Sequence, residues 1–318
     1  MADILALGFM QRALLAALFV GLAAPLVGLY VVQRRLALIG DGLGHVALTG
    51  VAVGVLTSSA PVATALVAAV AGAVTIELVR ARGRTTGDVA LAVLFYGGIA
   101  GGVVLLSKAP DGTPANLNSY LFGAITTTSQ QDLVVFAALC AVVVVVCSVL
   151  SRELFAASND PEYASAAGLP VLGINILVAV LTATTVVLSM RVVGLLLISA
   201  LMVVPVATAQ LVCSSFRGTR AVAVAVGVVV AVGGVLTSYQ ADTPSGGTIV
   251  LLAIALFSVT AVASALRDAV HRRKQTAEHH FHEHGDDCGH EALPHAGHLD
   301  YVHDGHRHAP HEGHYDEH

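Results

Sequence analysis

Long uncharged stretches, each closed by a charged or turn-forming residue, fill most of the first 267 positions of the chain. They fall at 9–32, 36–58, 61–80, 89–107, 131–151, 171–190, 192–214, 220–238 and 247–267. A helix crosses a bilayer in about 20 apolar residues, so the pattern predicts about eight to nine spanning helices. Pro25 interrupts the first stretch, Thr57 to Pro61 make a short turn, and Arg191 alone separates two of the others. The predicted fold class is an all-α polytopic membrane protein: a transmembrane bundle over residues 1–270, then a His-rich, disordered tail over 271–318.

Composition agrees with the pattern. Of 318 residues 56% are hydrophobic and only 12% charged, which excludes a soluble globular chain. Residues 278–318 hold 13 of the 15 histidines and a net charge of −9, against +4 for residues 1–277. Four cysteines, none in a CxxC, offer neither a disulfide framework nor a thiolate zinc knot. Met1–Gly8 lacks a basic start and a small-residue cleavage site, so the first stretch is expected to remain as a span. Runs such as Gly97-Gly98-Ile99-Ala100-Gly101-Gly102 suit close helix packing where lipid supplies no hydrophobic drive.

Basic residues occupy alternate loops. Arg34 and Arg35, then Arg80, Arg82 and Arg84, then Arg152, Arg217 and Arg220, and finally Arg267, Arg272, Arg273 and Lys274 mark one face. Lys and Arg concentrate on the cytoplasmic side, which places the 152–170 loop and the tail in the cytoplasm of a cell-membrane protein. With nine spans the N-terminus lies outside; with eight, inside.

Within the second stretch stand Asp41 and His45. Ionisable groups inside a membrane segment are costly and demand a reason. Four residues apart on a helix, the two share a face; counted from Arg35 at 1.5 Å per residue, they lie about 9 and 15 Å into a core roughly 30 Å thick. A carboxylate and an imidazole suit zinc, manganese or iron, and two ligands suit a site that must release its ion. An Asp–His pair locking a helix contact is the structural alternative, and a proton relay a third. Gly40, Gly42, Gly44, Gly50 and Gly54 around the pair imply close backbone approach or a helix break. Glu77, three residues before Arg80, reads as an interfacial ion pair, and Asp132 as a helix N-terminal charge.

From Ser158 to Pro170 an Asp, a Pro, a Glu, small residues, then Gly and Pro spell a short capped helix on the basic face. It is either a docking knob or a plain connector. No GxxxxGK[ST] loop occurs, and neither Lys108 nor Lys274 stands in such a setting. If ATP drives this protein, another chain hydrolyses it. In the tail, His279, His280, His282, His284, His303, His306 and His308 sit among acidic residues; low hydrophobicity predicts disorder, and imidazoles of ordinary pKa about 6.5 bind zinc, nickel or copper weakly.

Taken in order, these segments resemble the membrane permeases of ABC importers for zinc, manganese and iron. Arg34 to His45 looks like that family's arginine-rich entry and Asp-x-x-x-His metal helix. Tyr120-Leu121-Phe122-Gly123 through Asp132 is similar to its Leu-Phe-Gly segment, and Asp160-Pro161-Glu162-Tyr163-Ala164 to Gly168-Leu169-Pro170 to its coupling helix. Val193-Gly194-Leu195 with Pro205 and Ala207, and Pro244 to Thr248, complete the series. Gly42 and Gly44 depart from the family, which often has Ala and Ser there. The resemblance implies a metal site at Asp41 and His45, and ATPase coupling through Asp160, Glu162, Ala164 and Gly168. It further implies a homodimer, a separate ABC ATPase subunit and an extracytoplasmic metal-binding protein. The chain would be a transport subunit rather than an enzyme, with no tightly bound cofactor and no nucleic-acid partner. The tail's imidazoles favour zinc as cargo over manganese. An ion-coupled secondary metal transporter and a membrane metal sensor or scaffold are the competing classes.

Overall fold

The computed structural model describes residues 7–83, 87–108, 121, 123, 129–190, 193–195, 197–276, 289–295, 298–303, 306–311 and 314–317. Among these the chain forms helices α1 (Gly8–Gln33), α2 (Ile39–Leu56), α3 (Pro61–Ala81), α4 (Gly87–Leu106), α5 (Gln130–Val149), α6 (Ser151–Asn159), α7 (Pro161–Ala166), α8 (Val171–Ser189), α9 (Ile198–Gln210), α10 (Phe216–Ala241) and α11 (Ser245–Thr276). Strands β1 (Glu291–His295), β2 (His298–His303), β3 (His306–His311) and β4 (His314–Glu317) follow. Two compact units result, Met1–Ser264 and Ala265–His318.

Among the described residues 8 helices, α1 to α5, α8, α10 and α11, are long and apolar enough to cross a membrane. The stretch at 192–214 is not a ninth. Its helix, α9, has only 13 residues, because the described residues ahead of it, 193–195 and 197, are not helical: Gly194 sits at φ +91°, a conformation open to glycine and strained for a side chain. Pro25, by contrast, does not break α1, which runs unbroken from Gly8 to Gln33.

Aromatic contacts fix which helix ends lie together. Phe9 meets Tyr239 at 6.0 Å, so α1 starts where α10 finishes. At the opposite end Tyr30 and Phe155 both pack on Phe216, at 6.0 and 4.6 Å. Arg34 Nη1 donates to the Asn175 carbonyl at 3.5 Å, so α8 also begins there. The chain leaves this end in α8 and is back at it in Phe216, so the segment holding α9 is the return passage. Eight long helices and one short, broken return are therefore the form taken by the eight to nine passages expected. The arginines gather at the same end: Arg152, Arg217 and Arg220, with Ser148, Ser151, Phe155 and Phe216, line a cavity of about 380 Å³.

Helix starts follow local chemistry. Pro61 takes the first position of α3, where its missing N–H is not needed. Ser129 and Asp132 form a reciprocal capping box at the start of α5, the N-terminal role read for Asp132. α1 is the central post: Met10, Ala13, Ala16, Ala17, Val20, Ala23, Ala24 and Val27 are all buried. At the margin Val93, Val103 and Val104 of α4 and Leu251, Val259 and Val262 of α11 are exposed, as lipid-facing residues must be. Cys140, Cys147 and Cys213 are free, the first two buried.

The second unit carries a four-stranded antiparallel sheet in the order β1-β2-β3-β4. This departs from the disorder expected for the tail. Composition averages over the segment and hides its pattern: strands of four to six residues are separated by Ala296-Gly297, Asp304-Gly305 and Glu312-Gly313, and X-Gly dipeptides between strands are a hairpin signature. Asp300 and Tyr301 are buried in this sheet.

Candidate metal-translocation site

Asp41 and His45 stand on α2, one turn apart and each half-buried. α2 begins at Ile39 rather than near Arg35, because Arg35 adopts φ +57° and a tight turn precedes the helix. Asp41 therefore occupies the first turn of α2, nearer the arginine end of that helix than a count from Arg35 implies. The helix is continuous to Leu56, so the glycines serve close approach and not a break. A Cβ on Gly98 of α4 would lie 2.7 Å from the His45 carbonyl carbon, and one on Gly44 would lie 3.0 Å from the Leu195 carbonyl oxygen. Both neighbours thus reach the α2 backbone on either side of His45. Thr49 Oγ1 donates to the Gly98 carbonyl at 2.7 Å and fixes the α2–α4 register.

Two further groups complete the surroundings. Ser199, in the first turn of α9, donates its hydroxyl to Asp41 Oδ1. Asp41 thus faces the N-terminal turns of two helices, its own and α9, where unpaired backbone N–H groups favour negative charge. His45 packs edge-on to Phe95, with ring centroids 4.5 Å apart. Among the described residues no group of three or more His, Cys, Asp and Glu converges. Asp41 and His45 are therefore the two candidate ligands that α2 offers, with the Ser199 hydroxyl as an adjacent oxygen. An open donor set of this kind is able to hand an ion on, which a closed four-ligand site is not.

Glu77 does more than make the interfacial pair expected with Arg80. Its carboxylate is 2% exposed and receives both of its oxygens' bonds from Arg34 Nη2 at 2.8 Å, as well as Arg80 Nη1 at 3.1 and 3.3 Å. Arg34 is 5% exposed and Arg80 26%. A single carboxylate therefore clasps the end of α1 to α3, with α8 joined through Asn175. Glu77, Arg80, Ala81, Val171, Leu172 and Asn175 line a cavity of about 220 Å³ beside it.

The 158–170 segment is punctuated as the sequence implies, although the helix proper is α7 alone, preceded by the separate α6. The Asp160 carboxylate accepts the Tyr163 N–H at 2.9 Å, and Pro161 opens the helix. At its other end the Gly168 N–H bonds the Ser165 carbonyl and the Leu169 N–H the Ala164 carbonyl, both at 3.0 Å. That pair of bonds is a Schellman motif, and it needs the φ of +81° found at Gly168. Ala164 is buried as the anchor, while Asp160, Glu162, Tyr163 and Gly168 are exposed.

The profile of the ABC 3 transport family matches residues 6–264. The chain belongs to this family. It is 31% identical over 257 residues to the manganese transport system membrane protein MntC of Halalkalibacterium halodurans, covering 81% of this chain and 88% of that one. With a Haemophilus influenzae protein named "Probable iron transport system membrane protein" it shares 29% identity over 259 residues, covering 81% and 95%. Among solved structures, PsaBC from Streptococcus pneumoniae in complex with Fab has a TM-score of 0.73 at 28% identity, over 81% of this chain and 93% of that chain. The resemblance read from the motifs therefore holds: this is a metal ABC transporter permease, a multi-pass membrane protein.

Sequence reading of the permease missed Ser199 and Arg34 as partners. A serine in the apolar run Leu197-Ile198-Ser199-Ala200-Leu201 carries no signal of its own, and Arg34 read as an orientation marker only. Of the tail histidines named above, His303 ends β2 opposite His306 at the start of β3, and His308 lies opposite Tyr301. His279, His280, His282 and His284 lie outside the described residues, as do Tyr120 and Phe122.

Proposed function

We propose that the permease carries a divalent metal ion, zinc in the first instance, through a path that includes Asp41 and His45. The observation that supports this best is the donor set itself: a carboxylate and an imidazole on one helix face, inside an apolar segment, with Ser199 bonded to the carboxylate. Relatives are named for manganese and iron, whereas the imidazole-rich tail favours zinc. Two copies of the chain form the path, over two copies of a separate ATP-binding subunit, and an extracytoplasmic protein delivers the ion. The metal is cargo, and no resident cofactor is required. The arginine end of the bundle faces the cytoplasm, which puts the start of α1 outside and the tail inside. Vesicles holding the permease with its ATPase, loaded from outside with the delivery protein, are expected to accumulate radiolabelled zinc only with ATP. Accumulation of manganese with zinc excluded would overturn the choice of cargo, and accumulation without ATP the mechanism.

We further assign α7 to the contact with the ATPase. Asp160 and Gly168 brace its two ends, Ala164 seats it, and Glu162 and Tyr163 are presented outward. Gly168→Val forces a β-branched residue into a left-handed turn, and it is expected to uncouple the two activities: ATP hydrolysis continues while metal uptake falls about tenfold or more, a loss worth about 1.4 kcal/mol. Retained coupling in this variant would place the contact elsewhere.

A further inference from the structure

The tail contains a repeat that its composition conceals. His295-Ala296-Gly297-His298, His303-Asp304-Gly305-His306 and His311-Glu312-Gly313-His314 recur every eight residues as His-x-Gly-His. In the sheet each repeat puts its two histidines directly opposite one another: His295 with His298, His303 with His306, His311 with His314. β2 and β3 pair with Tyr301 opposite His308. Three residues from that pair along each strand, alternation sets His298 and His311 on the same face of the sheet. Four histidines, His295 opposite His298 and His311 opposite His314, therefore form a row of two pairs on one face at one end of the sheet. Directly opposite residues share a face of the sheet. Two residues along β2 on that same face stands Asp300, fully buried, with its Oδ1 3.1 Å from His298 Nε2.

From this row we infer a folded divalent-metal site in the C-terminal unit, distinct from the transit site and independent of which ion crosses the membrane. Cross-strand Cβ atoms lie about 4.5–5.5 Å apart, a separation that lets two imidazoles reach one ion. Four strands span three spacings of about 4.8 Å, too wide for a single ion with bonds of about 2.0–2.1 Å. The row thus holds two ions of the zinc class, one on the β1–β2 hairpin and one on the β3–β4 hairpin. Asp300 fixes the tautomer and orientation of His298, the usual service of a carboxylate behind a metal-bound imidazole. Each ion ties two strands together, so metal occupancy and folding of the sheet are linked. The permease would in this way carry on its tail a unit that is ordered by the metal.

The experiment uses the full chain in detergent, in an Asp41→Ala background so that the transit site does not contribute. Zinc is titrated while amide hydrogen exchange is followed over residues 290–317. The parent is expected to bind zinc and to gain protection across this segment. A second protein combines H298L with L299H and H314Y with Y315H, which keeps every residue type but moves one histidine of each pair to the other face of the sheet. It is expected to bind zinc at least about tenfold more weakly, in the range that loss of supporting groups costs a metal site. A third protein, with alanine at 279, 280, 282 and 284, is expected to lose at most the weak binding read for those four histidines and to keep the parent's protection across 290–317. Unchanged affinity in the transposed protein would overturn the row in favour of simple histidine content. So would zinc binding that leaves the 290–317 amides unprotected, or loss of that protection in the third protein.

Discussion

Replacing Asp41 or His45 by alanine is expected to abolish ATP-driven metal uptake while the chain still inserts and assembles. Outer partners of metal ligands are worth about 10–100-fold in affinity or activity, so loss of a ligand itself should exceed the upper figure. Both residues are only half-buried, so expression and the thermal midpoint should change little. Ser199→Ala removes the hydroxyl that bonds Asp41 and is expected to fall between, at about tenfold, mainly in apparent affinity. The measurement is initial uptake against metal concentration, normalised to folded permease in the membrane. Normal uptake in both alanine variants would leave the pair as a helix lock.

The second large effect concerns stability. Glu77→Ala leaves Arg34, only 5% exposed, without its carboxylate, and breaking one side of a buried ion pair costs about 3–5 kcal/mol. Arg34→Ala should cost less, because Glu77 retains Arg80 at 3.1 Å, and Arg80→Ala least, since Arg80 is a quarter exposed. The order Glu77, Arg34, Arg80 is what thermal unfolding of the detergent-solubilised protein should return. Arg34→Met combined with Glu77→Leu fills the site with apolar groups and is expected to recover much of the loss. A Glu77→Ala protein of parental stability that nonetheless fails to transport would move this cluster from scaffold to pathway.

How legible was all this in the chain? Asp41 and His45 were visible because a charge in an apolar run needs a reason, and their four-residue spacing sets them on one face whatever surrounds the helix. The 158–170 helix was visible because Asp-Pro at one end and Gly-Leu-Pro at the other dictate local backbone geometry, which Asp160 and Gly168 then adopt. The family match selects the ABC permease from the three classes that the residues alone left open. Two features lie beneath what composition registers, for opposite reasons. The 192–214 stretch is apolar throughout, and hydropathy does not register that Gly194 takes a left-handed turn. The tail is polar throughout, and mean composition does not register an eight-residue recurrence.

The sequence by itself determined what depends on composition and on local spacing: a membrane bundle, its basic face, the helix punctuation and a carboxylate–imidazole pair one turn apart. Only the tertiary structure decided what depends on residues far apart in the chain. Ser199 reaches Asp41 across 158 positions because the broken passage before α9 brings a helix start to the carboxylate. Arg34 reaches Glu77 across 43 because α1 and α3 end together. Neither pairing is encoded in any local pattern, since an apolar helix can turn any face inward until its neighbours are placed, and in lipid those neighbours are chosen by close backbone contact rather than by hydrophobicity.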